Sequence, residues 1–197
     1  MMNKKLFILA LLAIGALIGT GGSLITAEIV HNTGDAEFCG SCHSMEPMAE
    51  TFKLDTHGGK NERGFVAECA DCHLPHDSVL NYMIDKTTHG INDVFVETFT
   101  DTEKIDWLAR RKERERYVFD SGCLSCHQEL LDKTVAKNPK SLETHGHYKQ
   151  QLAKGDPIQC VSCHVTVGHA GQLRTVLNET NPEFSFSSKN MAITKKH

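Results

Sequence analysis

The chain has 197 residues and a formal net charge of −4, and 40% of its residues are hydrophobic. This length allows one domain and an additional segment, and the weak negative charge gives no reason to expect nucleic acid as a partner. Because much of the apolar content lies at the N-terminus, the remainder is too polar to fold around a large side-chain core, and such a fold is excluded.

The N-terminus predicts a membrane anchor. Lys4 and Lys5 precede an apolar run that extends from residue 6 to about residue 30 and contains a single charge, Glu28. A membrane-spanning helix needs about 20 apolar residues, whereas the core of a signal peptide has about 7–15, so an uncleaved anchor is favoured over a cleaved leader. The two lysines predict a cytoplasmic N-terminus. Everything after the anchor is then expected outside the bacterial inner membrane.

The anchor also contains small residues that would let a second helix approach closely. They are Gly15, Gly19, Gly21 and Gly22. Glycine is common in membrane helices in general, so the plain interpretation is an ordinary membrane span. A homo-oligomer that forms through this face is the alternative.

Four copies of the pattern Cys-x-x-Cys-His contain every cysteine of the chain. The cysteine pairs are Cys39 and Cys42, Cys69 and Cys72, Cys123 and Cys126, and Cys160 and Cys163; the histidines are His43, His73, His127 and His164. The pattern is typical of covalent c-type haem attachment, in which the following histidine ligates the iron. Zinc or iron–sulfur knuckles need only the cysteine pairs. The sequence therefore predicts four covalently bound haem c groups, which form the core.

The positions of these four strings predict two two-haem halves. The strings within each pair are closer in sequence than the two pairs are to each other, as in a duplicated unit. Turn residues are frequent around them, so we expect a mainly α fold with much irregular loop. The predicted regions are 1–30, the cytoplasmic N-terminus and transmembrane anchor; 31–176, a compact periplasmic tetrahaem domain; and 177–197, a polar tail.

Two helices are expected within the haem domain. The clearest extends from Asp77 to Phe99, where apolar residues recur at helical spacing and Lys86, His89 and Asp93 share the opposite face. The pattern alone assigns this polar face to solvent. The second, from residue 103 to residue 119, carries mixed charges that indicate an exposed helix with an ion pair between Asp106 and Arg110.

These features together resemble the NapC/NrfH (NapC/NirT) family of membrane-anchored tetrahaem cytochromes c, which are quinol dehydrogenases. The motifs that carry the resemblance, besides the anchor and the four strings, are Cys42-His43-Ser44-Met45, Cys72-His73-Leu74-Pro75-His76 and Val167-Gly168-His169. The resemblance implies a periplasmic electron carrier of anaerobic respiration. It would oxidise menaquinol or ubiquinol and reduce a periplasmic multihaem (nitrite) or molybdenum (nitrate) reductase.

The second axial ligands of the irons are sought among the histidines outside the strings. At the first string, Met45 competes with His43 for the iron, or packs beside the ring. The resemblance implies that His57 is the distal ligand of the fourth haem and that His169 is that of the third. For the second haem, His147 is preferred and His145 is the alternative; in some relatives a lysine of the partner enzyme takes this place.

The resemblance also places Lys86 and Asp93 beside the first haem, at the quinol site. There they would position the quinol hydroxyl and accept its proton. A membrane-tethered wire fed by a donor protein would share every haem feature and differ only at these two residues. A multihaem terminal reductase is disfavoured because no Cys-x-x-Cys-Lys string occurs. A quinol dehydrogenase subunit is therefore preferred to a terminal enzyme.

Overall fold

The computed structural model describes residues 3–131, 139–155 and 158–184. The first helix, α1, comprises Lys4–Asn32, and it is long and apolar enough to cross a membrane, with a mean hydropathy of 2.2. Its 29 residues correspond to about 43 Å at 1.5 Å per residue. None of its residues is buried in the described chain. The expected single apolar N-terminal helix is thus confirmed.

The rest of the described chain is helix and loop, with no strand in those ranges. The helices are α2 (Ala36–Cys39), α3 (Glu46–Lys53), α4 (Cys69–His73), α5 (Val79–Phe99), α6 (Trp107–Arg110), α7 (Asp120–Cys126), α8 (Pro139–Lys154), α9 (Cys160–Cys163) and α10 (Leu173–Glu179). The mainly α fold with much irregular loop is therefore confirmed. Both cysteines of the last three strings lie on a short helix, because a spacing of three residues brings the two thiols to one side of a helical turn.

The predicted helix over residues 77–99 is present as α5. Ser78 caps its N-terminus by accepting a hydrogen bond from the Asn81 backbone N–H at 3.1 Å. The helix continues through Gly90 and ends at Phe99, before Thr100 adopts an extended conformation. Not one of its residues is buried among the parts of the chain that the structure describes.

The predicted helix over residues 103–119 is wrong, because this segment forms three short pieces. They are a 3-10 turn at Thr102–Lys104, then α6, then a 3-10 helix at Arg111–Arg116 that bends at Glu113. Asp106 caps α6 by accepting from the Ala109 N–H at 2.9 Å, while Arg110 pairs with Glu113 at 3.5 Å instead. The spacing of charges along the sequence does not reveal that the Ala109 N–H and Glu113 compete for Asp106 and Arg110.

The side-chain core is small, as expected for a chain whose cofactors fill the interior. Leu173, Leu177 and Phe184 are almost fully buried, and Met48, Trp107 and Leu108 pack against them. In this cluster α10 packs on α3. Residues 177–184, at the start of the predicted tail, thus belong to a packed region, whereas residues 185–197 lie outside the described residues. The three predicted region boundaries stay predictions.

Candidate functional site

The four cysteine strings lie next to one another in chain order. The Cys39 thiol lies close enough to the Cys69 thiol to influence its ionisation, and the Cys123 and Cys160 thiols are related in the same way. The second and third strings are joined by the backbone, where the Phe119 N–H donates to the Cys72 carbonyl at 3.0 Å. This arrangement forms a continuous series from the first string to the fourth.

A glycine makes the central junction possible. An added Cβ at Gly122 would lie 2.1 Å from the Asp71 carbonyl oxygen, so only glycine lets α7 approach α4 this closely. The contact joins the last residues before the third string to the middle of the second. It therefore sets how the two halves of the series meet.

Three histidine pairs face each other across gaps of nearly equal width. The pairs, with the distances between ring centroids, are His73 with His169 (6.4 Å), His57 with His127 (6.3 Å) and His145 with His164 (6.3 Å). An imidazole nitrogen lies about 2 Å from a metal ion that it ligates, so two rings on opposite sides of one ion have centroids roughly 6 to 6.5 Å apart. No cluster of three or more potential ligands, as a zinc knuckle requires, occurs in the described part of the chain. The residues present therefore fit a haem iron between each pair.

Three of these histidines are oriented by a hydrogen bond at Nδ1, the ring nitrogen that would not bind the iron. In each case Nδ1–H donates, which leaves Nε2 with a free lone pair, the arrangement typical of a metal-ligating histidine. The acceptors are the Asp55 carboxylate for His57 (3.1 Å), the Tyr117 carbonyl for His73 (2.7 Å) and the Thr51 hydroxyl for His169 (2.9 Å). Burial lowers the pKa of His169 to about 4 and also lowers the pKa of His73, so both rings are neutral at pH 7.

The pairs differ from those that the resemblance implied. His57 faces the histidine of the third string and not that of the fourth, and His169 faces the second string and not the third. His145 faces His164 of the fourth string, whereas the preferred His147 is exposed and offers no ring to the second string in the described contacts. Residues two apart on a helix point in nearly opposite directions, so α8 can direct only one of His145 and His147 inward.

The first string is different from the other three. Among the residues that the structure describes, no second imidazole ring faces His43. Its ring nitrogens lie 3.6 Å from Glu46 and 3.5 Å from Glu183, and its side chain is about half exposed, at 52%. Met45, two residues further on, is half-buried. Both residues therefore stay candidates for the first iron.

Lys86 and Asp93 both lie beside the first string. Their charges act on Cys39, and Asp93 also acts on Cys42. The Lys86 ammonium donates to the Thr33 carbonyl at 2.9 Å, at the end of α1. Partial desolvation lowers the pKa of Lys86 and raises the pKa of Asp93. Within the polar face of α5, Lys86 is thus half-buried against the protein, whereas His89 and Asp93 are exposed, so the solvent exposure expected from the pattern alone holds for two of the three residues.

Sequence reasoning missed several residues near this site. Glu97 lies one turn after Asp93 and close to Cys42, and its Oε2 atom is buried with no hydrogen-bond partner among the described residues. The sequence signal that could have identified Glu97 is its spacing of four residues from Asp93, which places both carboxylates on one face of a helix. His31 and Glu68 form an ion pair at 3.2 Å that joins the end of α1 to the segment before the second string. No local pattern connects two residues so far apart in sequence.

Comparison with known proteins identifies the family of the chain. The profile of the NapC/NirT cytochrome c family, N-terminal region, matches residues 1–174. The tetraheme c-type cytochrome CymA of Shewanella oneidensis is 30% identical, over 85% of this chain and 92% of that protein. The cytochrome c-type protein TorY of Escherichia coli O157:H7 is 34% identical over 86% of this chain, but this chain spans only 46% of its length. The family and the tetrahaem relatives imply four covalently bound haem c groups at the four strings.

A solved structure is similar in fold. The crystal structure of the cytochrome c nitrite reductase NrfHA complex, bound to the inhibitor HQNO, contains a chain with a TM-score of 0.51 and 25% identity. The match covers 81% of this chain and 90% of that one. The single apolar helix and the short haem-bearing helices described above therefore belong to a known architecture.

Proposed function

Because the chain belongs to the NapC/NirT cytochrome c family, we propose that it is a membrane-anchored tetrahaem quinol dehydrogenase of anaerobic respiration. It oxidises menaquinol or ubiquinol and passes the electrons to a periplasmic terminal reductase of the nitrite or nitrate type. One observation carries the proposal. A lysine and an aspartate of α5 both lie beside the first cysteine string, and the lysine is hydrogen-bonded to the end of the membrane helix.

The anchor determines where the reaction takes place. With Lys4 and Lys5 on the cytoplasmic side, α1 ends at the outer face of the inner membrane and the haem domain lies in the periplasm. Quinol dissolved in the bilayer then meets the first string directly above the anchor. The protons of quinol leave on the periplasmic side, because α5 lies on that side.

The chain's own residues handle the quinol hydroxyl. The Lys86 ammonium is a donor that can orient a hydroxyl oxygen, and its positive charge favours loss of the hydroxyl proton. Asp93, in its carboxylate form, accepts the proton. Because its pKa is raised, this carboxylate is a stronger base than an ordinary aspartate, and it later releases the proton to water. When bound, haem supplies one-electron chemistry at each string.

We propose the facing histidines as axial ligand pairs. His169 serves the second string, His57 the third and His145 the fourth, supported by the ring separations. At the first string, either His43 or Met45 would hold the iron. Because the strings are adjacent in chain order, electrons enter at the first and leave from the fourth.

The chemistry of the chain and its similarity to a solved structure together suggest the class of partner. The similar solved chain belongs to a complex of cytochrome c nitrite reductase, which favours a periplasmic multihaem reductase. A molybdenum reductase of the nitrate type stays an alternative within the same proposal. The likeness to a chain in a structure bound to HQNO is consistent with a quinol-type ligand for this chain.

The proposal is tested with the holoprotein in liposomes and a menaquinol analogue, with haem reduction followed by absorbance. We expect the haems to be reduced, and we expect Asp93→Asn to slow the reduction by about 100-fold, as for loss of a general base. Asp85→Asn, on the same helix about two turns earlier, is the matched control and keeps the full rate. Haems that stay oxidised with quinol but are reduced by a donor protein would establish the protein-fed wire instead.

A further inference from the structure

We propose that α5 lies on the membrane surface and that its exposed apolar face contacts lipid. This apolar face consists of Leu80, Ile84, Ile91 and Phe95. These side chains are 50 to 69% exposed, although they recur at the helical spacing that normally covers a core. A helix that exposes its apolar side requires a surface other than water.

The polar side of α5 faces the protein. Tyr82, Lys86 and Glu97 are half-buried, and the Tyr82 ring packs edge-on against His76 at 5.4 Å. Lys86 lies 5.8 Å from the Tyr82 ring centroid and bonds to the end of α1. Near both ends of α5 the polar side is therefore packed against the protein, although His89 and Asp93 between them are exposed, whereas the apolar face is exposed along its whole length. A surface helix of a water-soluble domain normally buries its apolar face instead.

The first string does not cover the apolar face of α5. Lys86 and Asp93 act on Cys39, and Glu97 acts on Cys42, so the polar side of α5 is the side that faces the first string. The apolar face points about half a turn away from these residues. A haem attached at Cys39 and Cys42 would be held on the opposite side of the helix.

The position of α5 relative to the anchor favours lipid as the occupant. The Lys86–Thr33 hydrogen bond fixes the middle of α5 at the end of α1, and the His31–Glu68 pair braces the same junction. In the last turn of α1, Ile29 is 57% exposed, although His31 and Asn32 in the same turn are polar. The lipid-facing surface of α1 thus continues onto α5.

The chemistry of the face also suits lipid. Thr87 and Thr88 lie within or at the edge of the apolar face, and their hydroxyls donate to the carbonyls of Met83 and Ile84 at 2.7 and 2.9 Å. Such back-bonding satisfies a hydroxyl without water. The Phe95 and Phe99 rings, 5.1 Å apart, supply apolar aromatic surface, and phenylalanine is typical of the lipid-facing side of interfacial helices. Apolar area and not basic charge would hold α5 in place.

The test is photolabelling of the full-length holoprotein in liposomes that contain a diazirine-bearing phospholipid, with the labelled peptides mapped by mass spectrometry. We expect label on residues 79–99 as well as on α1, several-fold above the label at Leu152. That leucine, on α8, is the matched control because it has a similar exposure of 48%. Label confined to α1, or crosslinks between the α5 helices of two copies in its place, would overturn the proposal.

A pair of variants at adjacent positions sharpens the result. Ile91→Glu places a charge within the apolar face and should reduce the labelling of α5 several-fold, whereas Asn92→Glu lies outside that face and should leave it unchanged. Leu80→Gln offers a milder second variant if Ile91→Glu is poorly produced. Equal labelling in all variants would refute lipid contact. The measurement needs only the anchored holoprotein and is independent of quinol oxidation.

Discussion

The first cysteine string and the other three differ in how they are enclosed. At the second, third and fourth strings, a histidine from a distant segment faces the string's own histidine at 6.3 to 6.4 Å. At the first, His43 is half exposed and contacts carboxylates instead. The first string is also the one beside the anchor, Lys86 and Asp93. Under the proposed ligand pairs, three sites would hold iron between two histidines, and the first would be accessible.

This difference assigns separate tasks to the two regions. Two strong nitrogen ligands on opposite sides of an iron leave no position for substrate and suit electron transfer alone. A site with one fixed ligand, next to a proton acceptor at the membrane surface, suits exchange with a lipid-soluble donor. This division of tasks would be wrong if a closed site kept its low-spin haem after loss of the facing histidine. It would also be wrong if quinol oxidation at the first site did not depend on the neighbouring carboxylate.

The largest expected effect is at a closed site. His169→Ala removes the ring that faces His73, so the second haem should change from low spin to high spin. EPR of the purified variant should show one low-spin haem fewer. His147→Ala, which removes an exposed ring, is the control and should leave the count unchanged. An unaltered low-spin signal in His169→Ala would refute this ligand.

The fourth string gives a sharper contrast, because two histidines on α8 compete. His145→Ala should convert one haem to high spin, whereas His147→Ala should not, since only His145 faces His164. Magnetic circular dichroism can count high-spin haems in the two variants. The opposite result would make His147 a ligand in place of His145 and would contradict the observed orientation of α8.

At the open site, the expected effect is a pH-dependent rate. Asp93 accepts a proton only as the carboxylate, and desolvation raises its pKa above the ordinary value of about 4. The rate of quinol oxidation should therefore fall as the pH decreases through this raised pKa and be restored above it. The pre-steady-state rate in liposomes, measured against pH, should lose this step in Asp93→Asn. A step that persists in the variant would assign the proton to another group.

The smallest expected effect concerns packing near the fourth string. The Tyr148 hydroxyl donates to the Asp120 carboxylate at 2.5 Å, which ties α8 to α7, and this hydrogen bond together with burial raises the pKa of Tyr148. Tyr148→Phe should lower the free energy of unfolding of the holoprotein by about 1–2 kcal/mol. Denaturant unfolding measures this change. Tyr117→Phe, whose hydroxyl only accepts from Arg110 at the surface, should cost less than about 0.5 kcal/mol.

Much of the molecule was predictable from local pattern. The number and position of the haem attachments follow from the four strings, since both thiols and the histidine must be close in sequence to act on one porphyrin. The anchor follows from the length of its apolar run, and α5 follows from its apolar periodicity. In each case the physical requirement lies within one helix or one turn, so neighbouring residues carry it.

The tertiary structure decided which distant residues meet. The histidine pairs depend on how loops pass one another, which is set by close contacts such as Gly122 on Asp71 and by hydrogen bonds such as Thr51 to His169. The inward orientation of Lys86 depends on a carbonyl at Thr33, far away in the chain. Such pairings are chosen by the packing of segments that have no local pattern in common, and sequence spacing does not encode that packing.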